Sequence, residues 1–522
     1  MTLFREMHEQ AGDGPIESSK RAEGAFAWRR LTTVSLLTAL VGALLSSPGA
    51  DAATYSGVGC NERWAGSWIA RQIRPSLAVA IAVFSATAFL APASSAVAAT
   101  PPPVAGTVEA GGARIIGEQW LTGRTLQLTV ATDNFTAPAP VEVVFPVGYN
   151  VDTTKTWPVT YHTHGTYGNE TWFRTAYNGE ALTASYPSIV VAPRGDSGYW
   201  SDWFNNGSGG PPKYESFVMQ QLIPLIDANF RTIPDRAHRA IMGDSMGGYG
   251  ALMLAARHPD SFAAAASFSG VVDSNWAPGM TLLSASPTLQ GAAPDVIYGP
   301  RSTQEIRWHG HNPADLASNL RTVDVQLFNG SGILDPAHEA VTNAPFCSVE
   351  SDFVRPETVS LHQTLVALGI NHRWQEESWG CHDPELMQYF IPQAIERFQS
   401  LFAQSVAAPA RFDYRAIEPS FDVYGWHVAA DPARALEFLT LTDVSPSGLT
   451  VTGSGTTTIT TPPLFKGSKA VTVTADGNST SMQPDKNGSI TFPVSQGFPN
   501  AQQQYALGAV TNQTTTTVTF TR

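Results

Sequence analysis

The string Gly243-Asp244-Ser245-Met246-Gly247-Gly248 follows a short apolar run, Ala240-Ile241-Met242, and precedes Tyr249 to Arg257, which has the residue pattern of a helix. A strand, a tight turn and a helix in that order, with G-x-S-x-G at the corner, define a nucleophile elbow: the serine sits on a strained turn, and the small glycines let strand and helix approach closely enough to leave its hydroxyl exposed. Gly-Asp-Ser also opens the G-D-S-G-G of trypsin-like proteases. Here Met246 interrupts that string and a helix follows, so a β-barrel setting is excluded. The expected chemistry is acyl transfer through Ser245.

A chain of 522 residues exceeds one compact core and is expected to form two folded domains with appendages. Charged residues make up only 14%, and a net charge of −13 without a Lys/Arg block argues against nucleic acid as a partner. Residues 1–99 differ in kind. They hold two apolar stretches, Leu31 to Leu45 and Leu77 to Leu90, each preceded by arginines and followed by small residues. Both are short for a membrane span and read as secretory signal cores, the second ending in an A-x-A type site near Ala98 or Ala99. An exported, extracellular or envelope-associated protein is expected. Cys60 lies before that site, which leaves Cys347 and Cys381 as a lone pair suited to a disulfide.

Residues 100–112 form a Pro/Gly-rich linker. Over 113–405, strands at Arg114 to Trp120, Leu126 to Ala131, Val141 to Phe145 and Trp157 to Thr163 are followed by strands alternating with helices: Ser188 to Ala192, a helix Tyr214 to Asn229, then Ala240 to Met242, Ala263 to Ser269, Val323 to Phe328 and His372 to Glu377, closing on a helix Pro384 to Phe402. That alternation predicts an α/β-hydrolase: a central mainly parallel sheet flanked by helices. Val271 to Leu320 contains no clean strand and reads as a helical excursion. Residues 411–522, rich in Thr, Val, Ser and Gly with turn signals about every ten residues, predict a C-terminal all-β sandwich serving as an accessory module.

A serine nucleophile needs a base and an orienting acid, and in this fold both come later in the chain. His382 is the best placed histidine, in the Gly380-Cys381-His382 loop between the last strand and the last helix. The acid stays open among Glu350, Asp352 and Asp335. A Cys347 to Cys381 bond would hold the two Cα atoms about 4.4 to 6.8 Å apart and draw the Glu350 segment against His382, which favours Glu350. The oxyanion hole is expected from the backbone N–H groups of Met246 and of Thr166, the latter in the turn after Thr163. His162-x-His164 and His309-x-His311 lack an acidic or cysteine partner at ligand spacing, so neither metal nor cofactor is expected. Trp200, Trp203 and Phe204 are candidates equally for a cleft lining and for the core.

Residues from about 155 to 402 resemble the esterase D-like α/β-hydrolases that include the secreted mycolyltransferases, or fibronectin-binding antigens. The matching stretches are Tyr199 to Phe204, the elbow, His258-Pro259, Ser269-Gly270, Tyr298-Gly299-Pro300, Asn312-Pro313, Asn329 to Gly332 and Gly380-Cys381-His382. The resemblance implies Ser245 as nucleophile, His382 as base, Thr166 and Met246 as oxyanion donors, and a glutamate shortly before Phe353-Val354-Arg355, where Glu350 stands with one residue inserted. The family's sugar-contacting aspartate, arginine and tryptophan are replaced by His164, Tyr167 and Pro384, which turns the expectation from trehalose mycolyl transfer to hydrolysis of a carboxylic ester. The ester's lipid or polysaccharide linkage is not set by the sequence. The rival readings are a mycolyltransferase or diacylglycerol acyltransferase of the envelope, and a non-catalytic envelope or polysaccharide-binding protein.

Overall fold

A computed structural model describes residues 108–522. The two apolar segments and most of the linker lie outside the described residues.

The first unit of structure is a nine-stranded sheet in the order β1-β2-β3-β5-β4-β6-β7-β8-β9. Its strands are β1 (Arg114–Trp120), β2 (Thr125–Ala131), β3 (Ala139–Val144), β4 (Val159–Thr163), β5 (Ile189–Pro193), β6 (Arg239–Asp244), β7 (Ala264–Phe268), β8 (Asp324–Asn329) and β9 (His372–Glu376). The first three pair antiparallel and join β5 antiparallel, while β5, β4, β6, β7, β8 and β9 run parallel. Strands β4 to β7 are buried at every residue, as expected of a parallel sheet covered on both faces.

Alternation along the strands sorts their side chains between two apolar layers. In β6, Ala240 and Met242 face one layer and Ile241 the other. The first layer is closed by the last helix, Pro384–Gln404, whose Leu386, Phe390, Ile391, Ala394, Ile395 and Phe398 recur at helical spacing and are all buried. Asp383 caps that helix, its carboxylate accepting the Leu386 N–H at 3.0 Å. The second layer holds the elbow helix, Met246–Arg257, buried at every position but Arg257, and the predicted helical run 214–229, which is continuous with one π-helical stretch at Phe217–Leu222. The excursion after β7 is helical, with helices at Ala277–Ala285 and Arg301–His309.

After residue 411 come two antiparallel sheets, β10-β13-β14-β19-β16-β17 and β11-β12-β15-β18. Their strands are β10 (Phe412–Ala416), β11 (Ser420–Val423), β12 (Trp426–Ala429), β13 (Leu439–Ser445), β14 (Gly448–Gly453), β15 (Thr456–Thr460), β16 (Val471–Ala475), β17 (Asn478–Met482), β18 (Thr491–Ser495) and β19 (Thr514–Thr521). Inward residues such as Val428, Leu441, Val451, Ile459 and Val518 fill a core of their own, so this is a β-sandwich. It is not tethered loosely. Ile417 and Phe438 belong to the core of the α/β unit, and Asn319 and Arg415 exchange two hydrogen bonds at 2.9 Å.

Candidate active site

Ser245 follows β6 directly and has φ 54° and ψ −122°, a conformation that costs a non-glycine residue energy and is sustained only by its surroundings. Those surroundings are tight. Its N–H donates to the Phe268 carbonyl at 2.9 Å and its carbonyl accepts the Val271 N–H at 3.3 Å, which pins the turn to the end of β7. A Cβ placed on Gly247 would lie 1.9 Å from the Thr163 carbonyl oxygen, and one on Gly243 2.3 Å from the Gly247 carbonyl oxygen. No repacking of a flexible side chain relieves a clash between backbones. Gly247→Ala is therefore expected to cost about 3 kcal/mol or more, seen as a fall in thermal midpoint or as loss of soluble protein; an unchanged midpoint would contradict this packing.

The turn expected to carry the second oxyanion donor lies against the elbow. A Cβ on Gly165 would be 3.1 Å from the Ser245 Cβ. His164, weighed in the sequence as a possible ligand, braces this turn instead: its Nδ1 donates to the Gly165 carbonyl at 2.8 Å and its Nε2 accepts the Gly195 N–H at 3.0 Å. Burial pushes its imidazole down to about 4, so it is neutral at ordinary pH and holds this tautomer. Met246 opens the elbow helix, and the N–H groups of a helix's first turn have no acceptor within the helix. The Ser245 hydroxyl does not cap that helix, which leaves it available.

Glu350, fully buried, receives three hydrogen bonds. His382 Nδ1 donates to its Oε2 at 2.9 Å, and the Ser269 hydroxyl and Gly330 N–H donate to its Oε1 at 2.7 and 2.8 Å. Ser269 lies one residue beyond the carbonyl that holds Ser245, so Glu350 is braced by the same strand end that supports the elbow. The alternatives point elsewhere. Asp335 is 2.9 Å from the Nδ1 of His338, and Asp352, exposed, accepts the Ser351 hydroxyl. Residue pattern alone did not single out Ser269; its only mark was the Ser-Gly pair in the resemblance.

Cys347 and Cys381 are bonded, with Cα atoms 4.0 Å apart across a separation of 34 residues. That is slightly closer than the expected span. The loop carrying His382 is tied to the segment before Glu350 a second time, by the His382 N–H to the Phe346 carbonyl at 3.2 Å. Closing such a loop stabilises a chain by about 4 kcal/mol in the chain-entropy account. Cys347→Ser, or reduction, is expected to lower catalytic rate more than folded content, because the bond also fixes base against acid. Full turnover in a fully reduced sample would contradict this.

Asp244, the residue before Ser245, is buried, and its carboxyl is pushed up to about 6 by that burial. His382 lies close enough that its charge favours the ionised form. His162, 3.6 Å from Asp244, is driven down to about 3 by burial and is neutral. Of the aromatic candidates, Trp200 and Trp203 are core, and the Trp200 ring packs on His164 with centroids 5.1 Å apart. Phe204 is half-buried. His362 and His372 bond to each other at 2.8 Å, and His427 lies in the sandwich. Among the described residues there is no group of three or more His, Cys, Asp or Glu side chains arranged to hold a metal ion.

Residues 133–351 match the family described as "Putative esterase". This region has the sheet and helix arrangement of an α/β-hydrolase and is similar to that family. The chain is 34% identical over 253 residues to Esterase Rv1288 of Mycobacterium tuberculosis (strain ATCC 25618 / H37Rv), covering 46% of this chain and 52% of the relative. It is 29% identical over 202 residues to the diacylglycerol acyltransferase/mycolyltransferase Ag85A of Mycobacterium gordonae, covering 38% of this chain and 58% of that one. The chain thus spans between half and three-fifths of the length of these curated relatives. Among solved structures, MPT51 of Mycobacterium tuberculosis aligns at 20% identity and a TM-score of 0.44, over 53% of this chain and 97% of that one.

Proposed function

We propose that the protein is an exported serine carboxylic-ester hydrolase. The observation that carries this reading is the hydrogen-bonded pair His382–Glu350, braced by Ser269 from the strand end that also holds the elbow serine. In the proposed cycle, His382 Nε2 takes the Ser245 proton as Oγ attacks the ester carbonyl. The Met246 and Thr166 N–H groups stabilise the oxyanion, each donor contributing about 3 to 4 kcal/mol of barrier lowering. Collapse of the tetrahedral intermediate expels the alcohol, which takes its proton from His382. Water, deprotonated by the same imidazole, then releases the acid. Glu350 keeps the Nδ1 proton facing itself, so that Nε2 is the basic nitrogen throughout.

Two apolar segments with arginines before them and small residues after them, together with the disulfide, support export. A second reading, transfer of the acyl group to an alcohol, is favoured by the curated relatives described as acyltransferases. His164 speaks against a sugar acceptor at that point, since both its ring nitrogens are engaged in bracing the turn. Turnover of p-nitrophenyl esters of several chain lengths, with and without an added sugar or glycerol acceptor, separates the readings. Release of free acid unaffected by acceptor supports hydrolysis; acylated acceptor as the main product supports transfer; no turnover across the panel overturns both.

A further inference from the structure

Between the α/β unit and the sandwich lies a groove of about 790 Å³, within the range of ligand sites and placed, as such sites often are, at a domain junction. It is lined by Phe204, Gly207 to Gly210, Arg257, His258 and Arg307 of the α/β unit and by Glu418, Ser420, Phe421 and Asp422 of the sandwich side. It is separate from the proposed catalytic centre. Arg257 ends the helix that Ser245 begins, and twelve residues of helix put about 18 Å between them.

The walls restrict what would bind. Glu215 and Glu418 flank Arg257 at 2.8 and 2.6 Å, and Glu215 also lies 2.8 Å from the His258 ring, so these carboxylates already have partners. The Asp202 carboxylate is taken up by the Ser216 N–H and hydroxyl. Lys213, Arg257 and Arg307 line the groove together with Asp202, Glu215, Glu418 and Asp422, so neither sign of charge dominates, and a purely apolar ligand would strip water from these groups at a cost. Aromatic groups interleave with them. Phe421 is half-buried against Tyr414, with centroids 5.1 Å apart. Arg307 lies 4.4 Å over the Phe204 ring and, among the described residues, donates only from Nε, to Gln304. Its terminal nitrogens are free to donate in pairs, as a guanidinium does to neighbouring oxygens.

Aromatic surface beside paired, charge-compensated donors and acceptors matches a ligand with apolar C–H faces and a rim of neighbouring hydroxyls. We propose that this groove is a binding site for a neutral oligosaccharide, formed jointly by the esterase-family domain and the sandwich. The site is independent of the ester-hydrolase reading and stands or falls separately from it.

The test is calorimetric titration of the full chain with cellohexaose, xylohexaose and maltohexaose, repeated on Arg307→Gln, Phe421→Ala and Ser245→Ala, with p-nitrophenyl acetate turnover and circular dichroism measured on each. At least one hexaose is expected to bind at micromolar to millimolar concentration. Arg307→Gln and Phe421→Ala should each weaken it tenfold or more with folded content and turnover retained, and Ser245→Ala should leave binding unchanged. Arg307→Gln keeps a long polar side chain, so it stays informative if Phe421→Ala misfolds. No binding of any hexaose, binding indifferent to Arg307→Gln, binding lost in Ser245→Ala, or binding of hexagalacturonate alone would each overturn the proposal.

Discussion

Ser245→Ala is expected to reduce kcat/KM for p-nitrophenyl esters by about ten-thousand-fold to a million-fold, the range in which removal of a nucleophilic serine falls. At 1.36 kcal/mol per decade this is a loss of about 5 to 8 kcal/mol of transition-state stabilisation. The fold should persist. The Ser245 side chain is partly exposed and caps nothing, while the strained turn is held by backbone bonds to Phe268 and Val271 that alanine leaves intact. Circular dichroism and thermal midpoint should therefore match the parent chain. A variant that keeps more than a tenth of the parent turnover would mean that another group does the chemistry.

Glu350→Gln is expected to lower kcat by about a thousand-fold to ten-thousand-fold with KM little changed. The amide keeps the size of the side chain, and its oxygen can still accept from Ser269 and Gly330. Its NH2 group, however, would face His382 Nδ1 and favour the tautomer with the proton on Nε2, the nitrogen that must accept the serine proton. The imidazolium formed in the transition state also loses its counter-charge. Asp352→Asn and Asp335→Asn should leave kcat within about threefold, since those carboxylates contact Ser351 and His338 instead. If Asp352→Asn is the crippling change and Glu350→Gln is mild, the acid assignment fails.

The parallel sheet and the elbow were legible because they depend on local pattern. Continuous apolar runs mark strands buried on both faces, and G-x-S-x-G between a strand and a helix leaves little freedom in backbone geometry. Strand bounds moved by a residue, as at β5, expected over Ser188 to Ala192 and found at Ile189–Pro193. Short strands of the sandwich were not legible: four residues in β11 and β12 are too few to establish a period, and β17 is polar and exposed from Asn478 to Ser481. The acid could not be fixed from spacing alone, since Glu350, Asp352 and Asp335 all follow β8 and differ only in three-dimensional placement. The sulfur pair narrowed that choice because it ties loops 34 residues apart. The part His164 plays was not legible, because a buried neutral imidazole that braces a backbone turn has no sequence mark of its own.

The account's central claim is that Ser245 is the residue activated by His382 and Glu350. Its most direct test is to react the full chain with diethyl p-nitrophenyl phosphate, which phosphorylates activated serines, and to follow intact mass, peptide maps and residual turnover together. The account predicts one diethylphosphoryl group per chain, located on the peptide containing Ser245, with turnover lost in proportion to labelling and labelling slowed by at least a hundredfold in His382→Ala. Labelling at another residue, or turnover that survives complete modification of Ser245, would contradict it.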